Sequence, residues 1–167
     1  MTRVYLGIGS NVEPEFHVRA GVSALRQTFG EAVLSPVYRT AAVGFEGRDF
    51  LNLVAAIETD WPPGRLKVWL NDLEDRHGRR RDVPKFSDRN LDIDILLHGE
   101  LIVHAGGLEI PRREILEFAH VLKPLADLAP DLVHPETGRR MAEHWHEFGP
   151  SPGLVDHAMD LSGDPSD

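Results

Sequence analysis

The segment Leu91-Asp92-Ile93-Asp94-Ile95 alternates apolar and acidic residues without a break. Successive side chains of a β-strand point to opposite faces. Leu91, Ile93 and Ile95 therefore share one face, and Asp92 and Asp94 share the other. The apolar face needs a core behind it, so Asp92–Leu97 reads as a strand with one packed side. Immediately upstream lies Arg76-His77-Gly78-Arg79-Arg80-Arg81-Asp82-Val83-Pro84-Lys85-Phe86-Ser87-Asp88-Arg89. Its six Arg and Lys against two Asp give a local charge of +4, in a chain whose net charge is −9. This stretch has no apolar periodicity and contains Pro84, so it reads as a loop.

Working outward, Arg3–Ile8 is β-rich and Gly9-Ser10-Asn11 has turn chemistry. A helix is predicted from Pro14, with Val18, Val22, Leu25 and Phe29 on one face and Gly30 as its stop. Val33–Arg39 reads as a second strand, Ala41–Asp49 as a loop, and Phe50–Thr59 as a third strand. Trp61-Pro62-Pro63 opens a helix whose apolar face is Leu66, Trp69, Leu70 and Leu73, ending near Gly78. Past the acidic strand, Leu101–Val103 is expected to pair with it across His98-Gly99-Glu100. A short helix with Leu125 and Leu128 ends at Pro130, and another spans Met141–Phe148. The order strand–helix–strand–strand–helix–strand predicts an α+β, ferredoxin-like sandwich. Its sheet is mainly antiparallel, with helices packed on one face.

The 167 residues are expected to form a single domain over 1–149. An acidic tail over 150–167, rich in Pro, Gly, Ser and Asp, is expected to be disordered. The chain has no cysteine, which removes disulfides and thiolate metal sites and fits a cytoplasmic location. No apolar run reaches the ~20 residues that span a bilayer. The acidic balance argues against nucleic acid as a partner, since that needs a broad basic face. Neither membrane nor nucleic-acid partners are therefore expected.

Two aspartates on one strand face repel each other unless a cation neutralises them. Mg²⁺ is commonly held by one or two carboxylates, with waters and substrate phosphates completing its shell. Arg79, Arg81 and Arg89 have the geometry to grip phosphate oxygens in pairs, whereas Arg80 is expected to face water. The bland alternatives are an edge strand with a polar outer face and a solvated charged loop. Loop and pair together are more specific than either alone, because they combine the parts of a phosphoryl-transfer site. Neither a Walker nor a protein-kinase motif is present. Asn52, inside the third strand, reads either as a buried structural amide or as a ligand contact. Glu74 reads by default as a surface residue.

These residues also carry a resemblance. The order Leu6-Gly7-Ile8-Gly9-Ser10-Asn11, Tyr38-Arg39-Thr40, Phe50-Leu51-Asn52, Leu73-Glu74 with Gly78-Arg79, and Arg89-Asn90-Leu91-Asp92-Ile93-Asp94 resembles the 6-hydroxymethyl-7,8-dihydropterin pyrophosphokinases of folate biosynthesis. Val121-Leu122-Lys123-Pro124-Leu125 with Ala129-Pro130 extends the match over about Val4 to Pro135. The resemblance implies pyrophosphoryl transfer from ATP to the pterin hydroxymethyl oxygen, with release of AMP, in a ferredoxin-like fold. It implies two Mg²⁺ on Asp92 and Asp94, and phosphate contacts from Arg79, Arg81 and Arg89. It puts Asn71, Glu74, Ile95 and Arg112 near ATP. It puts Thr40, Ala41, Val43, Phe50, Asn52, Phe86 and His120 around the pterin, with Ala41–Asp49 and Arg79–Ser87 as mobile loops. The implied partners are small-molecule substrates, ATP and the reduced pterin alcohol; the sequence does not fix the oligomeric state, and a monomer is the favoured expectation.

Three positions depart from the family pattern. Arg112 follows Pro111 where the family has Pro-His. Phe118-Ala119-His120 replaces Arg-x-Phe, so His120 would stack on the pterin in place of Phe, and Arg112 would supply the displaced charge. Ala41 stands where a proline often follows Tyr-Arg-Thr. These departures motivate a second reading, a related pyrophosphokinase acting on a different pterin or similar alcohol. A third reading, a non-catalytic nucleotide- or RNA-binding module, lacks the stacking aromatics that RNA recognition on a sheet requires.

Overall fold

In the computed structural model, which describes residues 1–162, the chain forms β1 (Thr2–Ser10), α1 (Pro14–Phe29), β2 (Val33–Leu34), β3 (Tyr38–Thr40), β4 (Phe50–Thr59), α2 (Pro63–Arg76), β5 (Asp92–His98), β6 (Val103–Ala105), β7 (Leu108–Ile110), α3 (Glu114–Glu117), α4 (Ala119–Leu128), α5 (Met141–Phe148) and β8 (Val155–Asp156). The main sheet has the order β5-β1-β4-β3-β8, with β2 also paired to β4, and every pairing is antiparallel. This is the predicted ferredoxin-like α+β sandwich.

The helices cover both faces of the sheet, not one. Leu53, Ala55 and Ile57 of β4 pack with Val18, Val22 and Leu25 of α1 and with Leu66, Leu70 and Leu73 of α2. Val54 and Ala56, on the other face, pack with Tyr5, Leu122 and Leu125 of α4, Ile115 of α3 and Met141 of α5. The reason lies in β4, which is apolar in both phases of its alternation and so must be covered twice. A register shift between Tyr5 and Leu6 then brings both Leu96 and Leu97 into this second cluster.

The second face is covered only part of the way along the strands. Gly7 lies between Val54 and Asp94, and Gly9 lies between Asn52 and Asp92. Two glycines at the centre of a four-strand row leave that end of the face without bulk. A Cβ at Gly9 would stand 3.0 Å from Oδ1 of Asn52, and one at Gly7 3.3 Å from Leu96. The site occupies this bare end.

Three expectations are corrected. The second strand breaks into β2 and β3 at Ser35-Pro36, because proline has no N–H for the ladder. Ser35 bridges the break, its amide donating to the Val54 carbonyl at 2.9 Å and its Oγ accepting the Val54 amide at 2.8 Å. Residues after His98 do not pair with β5. Instead β6 pairs with β7 across Gly106-Gly107, both at positive φ (65° and 79°), the conformation that two-residue hairpin turns demand. The tail from Pro150 carries a short strand and packing contacts as far as it is described. Val155 and Asp156 pair with Arg39 and Tyr38, and Met159 and Leu161 pack against the α1 core. Arg19 donates to the Asp160 carbonyl at 3.1 Å, and Arg26 donates to that of Leu161. Composition alone missed two anchoring apolar side chains and an open sheet edge. The remaining residues assigned to this tail, 163–167, lie outside the described residues.

Candidate active site

Two cavities open on the bare end of the sheet. The larger, of about 430 Å³, is bounded by Thr40, Ala41 and Val43, by Phe50 and Asn52 of β4, by Phe86 from the cationic loop, and by His120 of α4. The smaller, of about 250 Å³, lies between α2, β5 and the β6–β7 hairpin and is lined by Asn71, Glu74 and Ile95. Arg79, Arg81, Asp92, Asp94 and Arg112 line both cavities. The charged groups singled out in the sequence therefore form the common wall, with Arg89 bordering the larger cavity alone.

The wall is a chain of opposite charges. Nη1 of Arg79 donates to Oδ1 of Asp92 at 3.0 Å and stands 3.8 Å from Glu74. Its Nε is buried with no hydrogen-bond partner among the described residues, which marks an unmet demand for an acceptor. Arg81 donates to Glu74 at 3.2 Å and also to Asp75. Arg112 reaches Asp94 at 3.6 Å and grips Glu114 with two bonds of 3.2 Å. Burial works against the charge of Arg112, but Asp94 and Glu114 outweigh it and raise its pKa. Each arginine has an acidic partner that an incoming polyphosphate could displace.

The carboxylates are strained in the opposite sense. Burial, and then the charge of Asp92, hold Asp94 well above the usual carboxylate range, with Arg112 only partly offsetting them. Glu74 is not a surface residue: it is 4 % exposed, and one carboxylate oxygen accepts the Ile93 amide at 2.9 Å. Burial and Asp92 push its pKa up to about 7. Among the described residues no group of three or more His, Asp or Glu is arranged to cage a metal. Asp92 and Asp94 instead offer hard oxygens on one face, with 34 % and 30 % of their side chains exposed to the cavities. An incomplete, carboxylate-only donor set beside room for phosphate and water fits Mg²⁺.

Arg89 behaves differently from its neighbours. It is 8 % exposed, and its guanidinium donates to the carbonyls of Asp88 at 3.1 Å, Pro84 at 3.3 Å and Lys85, and to Ser87 Oγ. It thus folds the loop on itself while its head borders the larger cavity. Burial, then the nearby charge of Arg79, lowers its pKa. Arg80 is paired with Asp82 at 3.0 Å and is 70 % exposed, and it also reaches the rim of the larger cavity.

On the apolar side, Nδ2 of Asn52 donates to Thr40 Oγ1 at 2.9 Å across the β3–β4 ladder. His120 stacks on Phe118 with centroids 5.2 Å apart and planes 20° apart, and burial keeps its imidazole neutral to lower pH than usual. Phe86 lies against the backbone of Gly44, where a Cβ would come within 3.2 Å of the ring. Sequence reasoning missed Phe45, Lys85 and Glu114, which line the larger cavity. It also missed Lys67 and the Gly107–Glu109 edge of the smaller one. The spacing Arg112-x-Glu114 was the available signal for a side-chain clasp. The hairpin edge gave none, because backbone placement decides it.

A ferredoxin-like sheet bearing an arginine–carboxylate wall between two cavities defines a small phosphoryl-transfer enzyme. Residues 5–130 match the family described as 7,8-dihydro-6-hydroxymethylpterin-pyrophosphokinase (HPPK), and the chain belongs to it. It is 40 % identical over 146 residues to the 2-amino-4-hydroxy-6-hydroxymethyldihydropteridine pyrophosphokinase of Pseudomonas aeruginosa, covering 84 % of this chain and 88 % of that one. It is 42 % identical over 138 residues to the protein of the same name from Methylorubrum extorquens, covering 80 % and 86 %. The wild-type crystal structure of Plasmodium falciparum HPPK-DHPS superposes with a TM-score of 0.71 at 12 % identity, over 88 % of this chain and 44 % of that one. The last likeness speaks to the fold, since this chain spans less than half of that protein.

Proposed function

We propose that this protein transfers the diphosphoryl group of ATP to the hydroxymethyl oxygen of 6-hydroxymethyl-7,8-dihydropterin, giving the pterin diphosphate and AMP in folate biosynthesis. The observation that carries this reading is the wall shared by the two cavities. A reaction joining a planar alcohol to a nucleotide needs two compartments that meet at the reacting phosphorus, and here Asp92, Asp94, Arg79, Arg81 and Arg112 line both.

In this reading the larger cavity takes the pterin. The Asn52 amide and Thr40 hydroxyl meet its polar edge, Phe50, Val43 and Ala41 bound its ring, and His120 with Phe118 stacks against it. Phe86 closes over it. Asn71, Glu74 and Ile95 border the nucleotide in the smaller cavity. Two Mg²⁺ held by Asp92 and Asp94 would supply the positive charge that neutralises the phosphates and the pair's own repulsion. The buried Nε of Arg79 would gain its acceptor from a phosphate oxygen. Arg81, Arg89 and Arg112 would add charge-assisted bonds that strengthen as charge builds on the transferring group. Alignment of the alcohol with the phosphorus, and exclusion of water by the loops 41–49 and 79–87, account for the remaining acceleration.

The domain of residues 1–149 is the catalytic unit, acting as a cytoplasmic monomer on small molecules, without nucleic-acid or membrane partners. In support, no helix among the described residues is long and apolar enough to cross a membrane. AMP release from Mg·ATP in the presence of the reduced pterin alcohol tests the reaction. Folded protein at high concentration that yields no AMP overturns the reading. A panel of pterin alcohols tests the acceptor, because the His120–Phe118 stack is where this chain departs from its family.

A further inference from the structure

Arg112 and Glu114 stand two residues apart where β7 gives way to α3, and the backbone fixes both. The Arg112 amide donates to the Leu96 carbonyl of β5 at 2.9 Å. Glu114 opens α3, whose Ile115 is fully buried in the second core cluster. The two side chains then meet in one defined way. Nε of Arg112 donates to Oε2 of Glu114 and Nη2 donates to Oε1, both at 3.2 Å. This side-on clasp engages one edge of the guanidinium, sets its plane, and leaves both N–H groups of Nη1 outside it. Asp94 stands 3.6 Å from Nε, beyond hydrogen-bond length. Arg112 lines both cavities, whereas Glu114 lines only the larger. Neighbouring cations compete weakly for Glu114. Lys85 is exposed and 3.9 Å away, and Arg113 turns instead to Glu109 and Glu117.

We propose that Glu114 is a positioning residue for the nucleotide, holding Arg112 off Asp94 and aiming the free end of its guanidinium at the phosphates. This rests on the reading that the smaller cavity takes ATP. Two carboxylates pull on Arg112 from different sides. Glu114 wins because it offers two aligned bonds against one longer contact. Without Glu114, the attraction of Asp94 is unopposed and closes the 3.6 Å gap. Arg112 then occupies a carboxylate oxygen that a cation would use, and its donors turn away from the phosphates. The residue type follows from the geometry. Aspartate is one methylene too short for the clasp, and glutamine can accept at only one of its two terminal atoms. Charge alone has the opposite sign. A carboxylate beside a phosphate site repels the phosphates, so its removal should tighten binding unless its bond to Arg112 matters more.

That sign is the test. An ATP analogue carrying a methylene bridge between the α and β phosphorus atoms is titrated calorimetrically, with Mg²⁺, into wild-type and variant protein. Glu114→Ala should weaken the analogue by ~10–100-fold, the range for residues that orient ligating groups. In an Arg112→Ala background the same substitution should weaken it no further, because two residues that act through one interaction do not add. Unchanged or tighter binding in Glu114→Ala overturns the proposal. So does an equal loss in the Arg112→Ala background, which would mean that Glu114 merely supports α3. If Glu114→Ala does not fold, Glu114→Gln keeps the shape and removes the charge and one bond of the clasp. It too should weaken the analogue, and unchanged or tighter binding there overturns the proposal equally. Wild-type protein that does not bind the analogue at all instead sinks the assignment of the smaller cavity to the nucleotide, and the role of Glu114 with it.

Discussion

The two faces of the central sheet are built from alternate residues of the same strands, yet they answer to different demands. One face carries Leu6, Ile8, Leu53, Ile57, Ile93 and Ile95 under α1 and α2, filled from end to end. The other is filled at one end by Val54, Ala56 and Leu97. At the other end it carries Gly7, Gly9, Asn52, Asp92 and Asp94, which face a cavity that α4 borders at His120 and Val121. A residue on the first face contributes stability through burial, roughly 1.5–3 kcal/mol for a large aliphatic side chain. A residue at the open end of the second face is held against its own preference, as Asp94 shows by keeping its proton to unusually high pH. The closed face supplies the rigidity that lets the open one stay uncomfortable.

The sharpest way to break this contrast is Asp94→Ala. AMP release should fall by on the order of 10³-fold, while the melting temperature holds or rises because a repulsive carboxylate is gone. Substantial turnover in that variant would remove Asp94 from the machinery, and a large loss of melting temperature would show that the open face also carries stability.

The mirror-image substitution is Leu66→Ala on α2, whose side chain is fully buried and borders neither cavity. Denaturant unfolding should report a loss of ~2–5 kcal/mol, with kcat little changed well below the melting transition. A kcat that collapses in parallel would mean that the two faces are not separable.

Within the cationic loop the same division recurs on a smaller scale. Arg79, wedged between Asp92 and Glu74, should cost on the order of 10²-fold in kcat/KM when changed to Ala. Arg80, paired in solvent with Asp82, should cost less than about threefold. Equal losses would put the wrong arginine inside.

The smallest effect concerns the closed face. His17 of α1 and His77 after α2 join Nδ1 to Nδ1 at 2.7 Å, and burial lowers both pKa values. The unfolded chain takes up protons near pH 6.5 while the folded one resists. The pair's contribution is therefore complete above that pH and is lost as pH falls towards the depressed folded values. Unfolding free energies measured across pH 7.5 to 5.5 should decline, and His17→Gln should make the decline shallower. An unchanged slope in that variant would clear the pair of any role.

Much of this contrast was legible in the sequence, and unevenly so. The alternation of Leu91–Ile95 and the charge of Arg76–Arg89 announced the open end, and the two long helices matched their apolar periodicity. The covering of the second face was less visible. Val54 and Ala56 carry the signal for it, but an alternating strand is most simply read as half-buried. Glu74 looked like an exposed helix residue because nothing local indicates that β5 passes over it and donates the Ile93 amide. Asn11 looked like a turn residue because its partners lie 37 and 77 positions away. Local pattern reports which elements form; partners distant in the chain become visible only when the fold closes.

The short strand β8 has a consequence of another kind. β3 is paired to β4 on one side, and on the other it would present a bare row of N–H and C=O groups beside the loop 41–49. Such an edge recruits strands from other molecules. Two residues of β8, held by Met159, Leu161 and the guanidinium groups of Arg19 and Arg26, occupy that edge first. A segment far from the charged wall thereby covers an edge at which a strand of another molecule could otherwise pair.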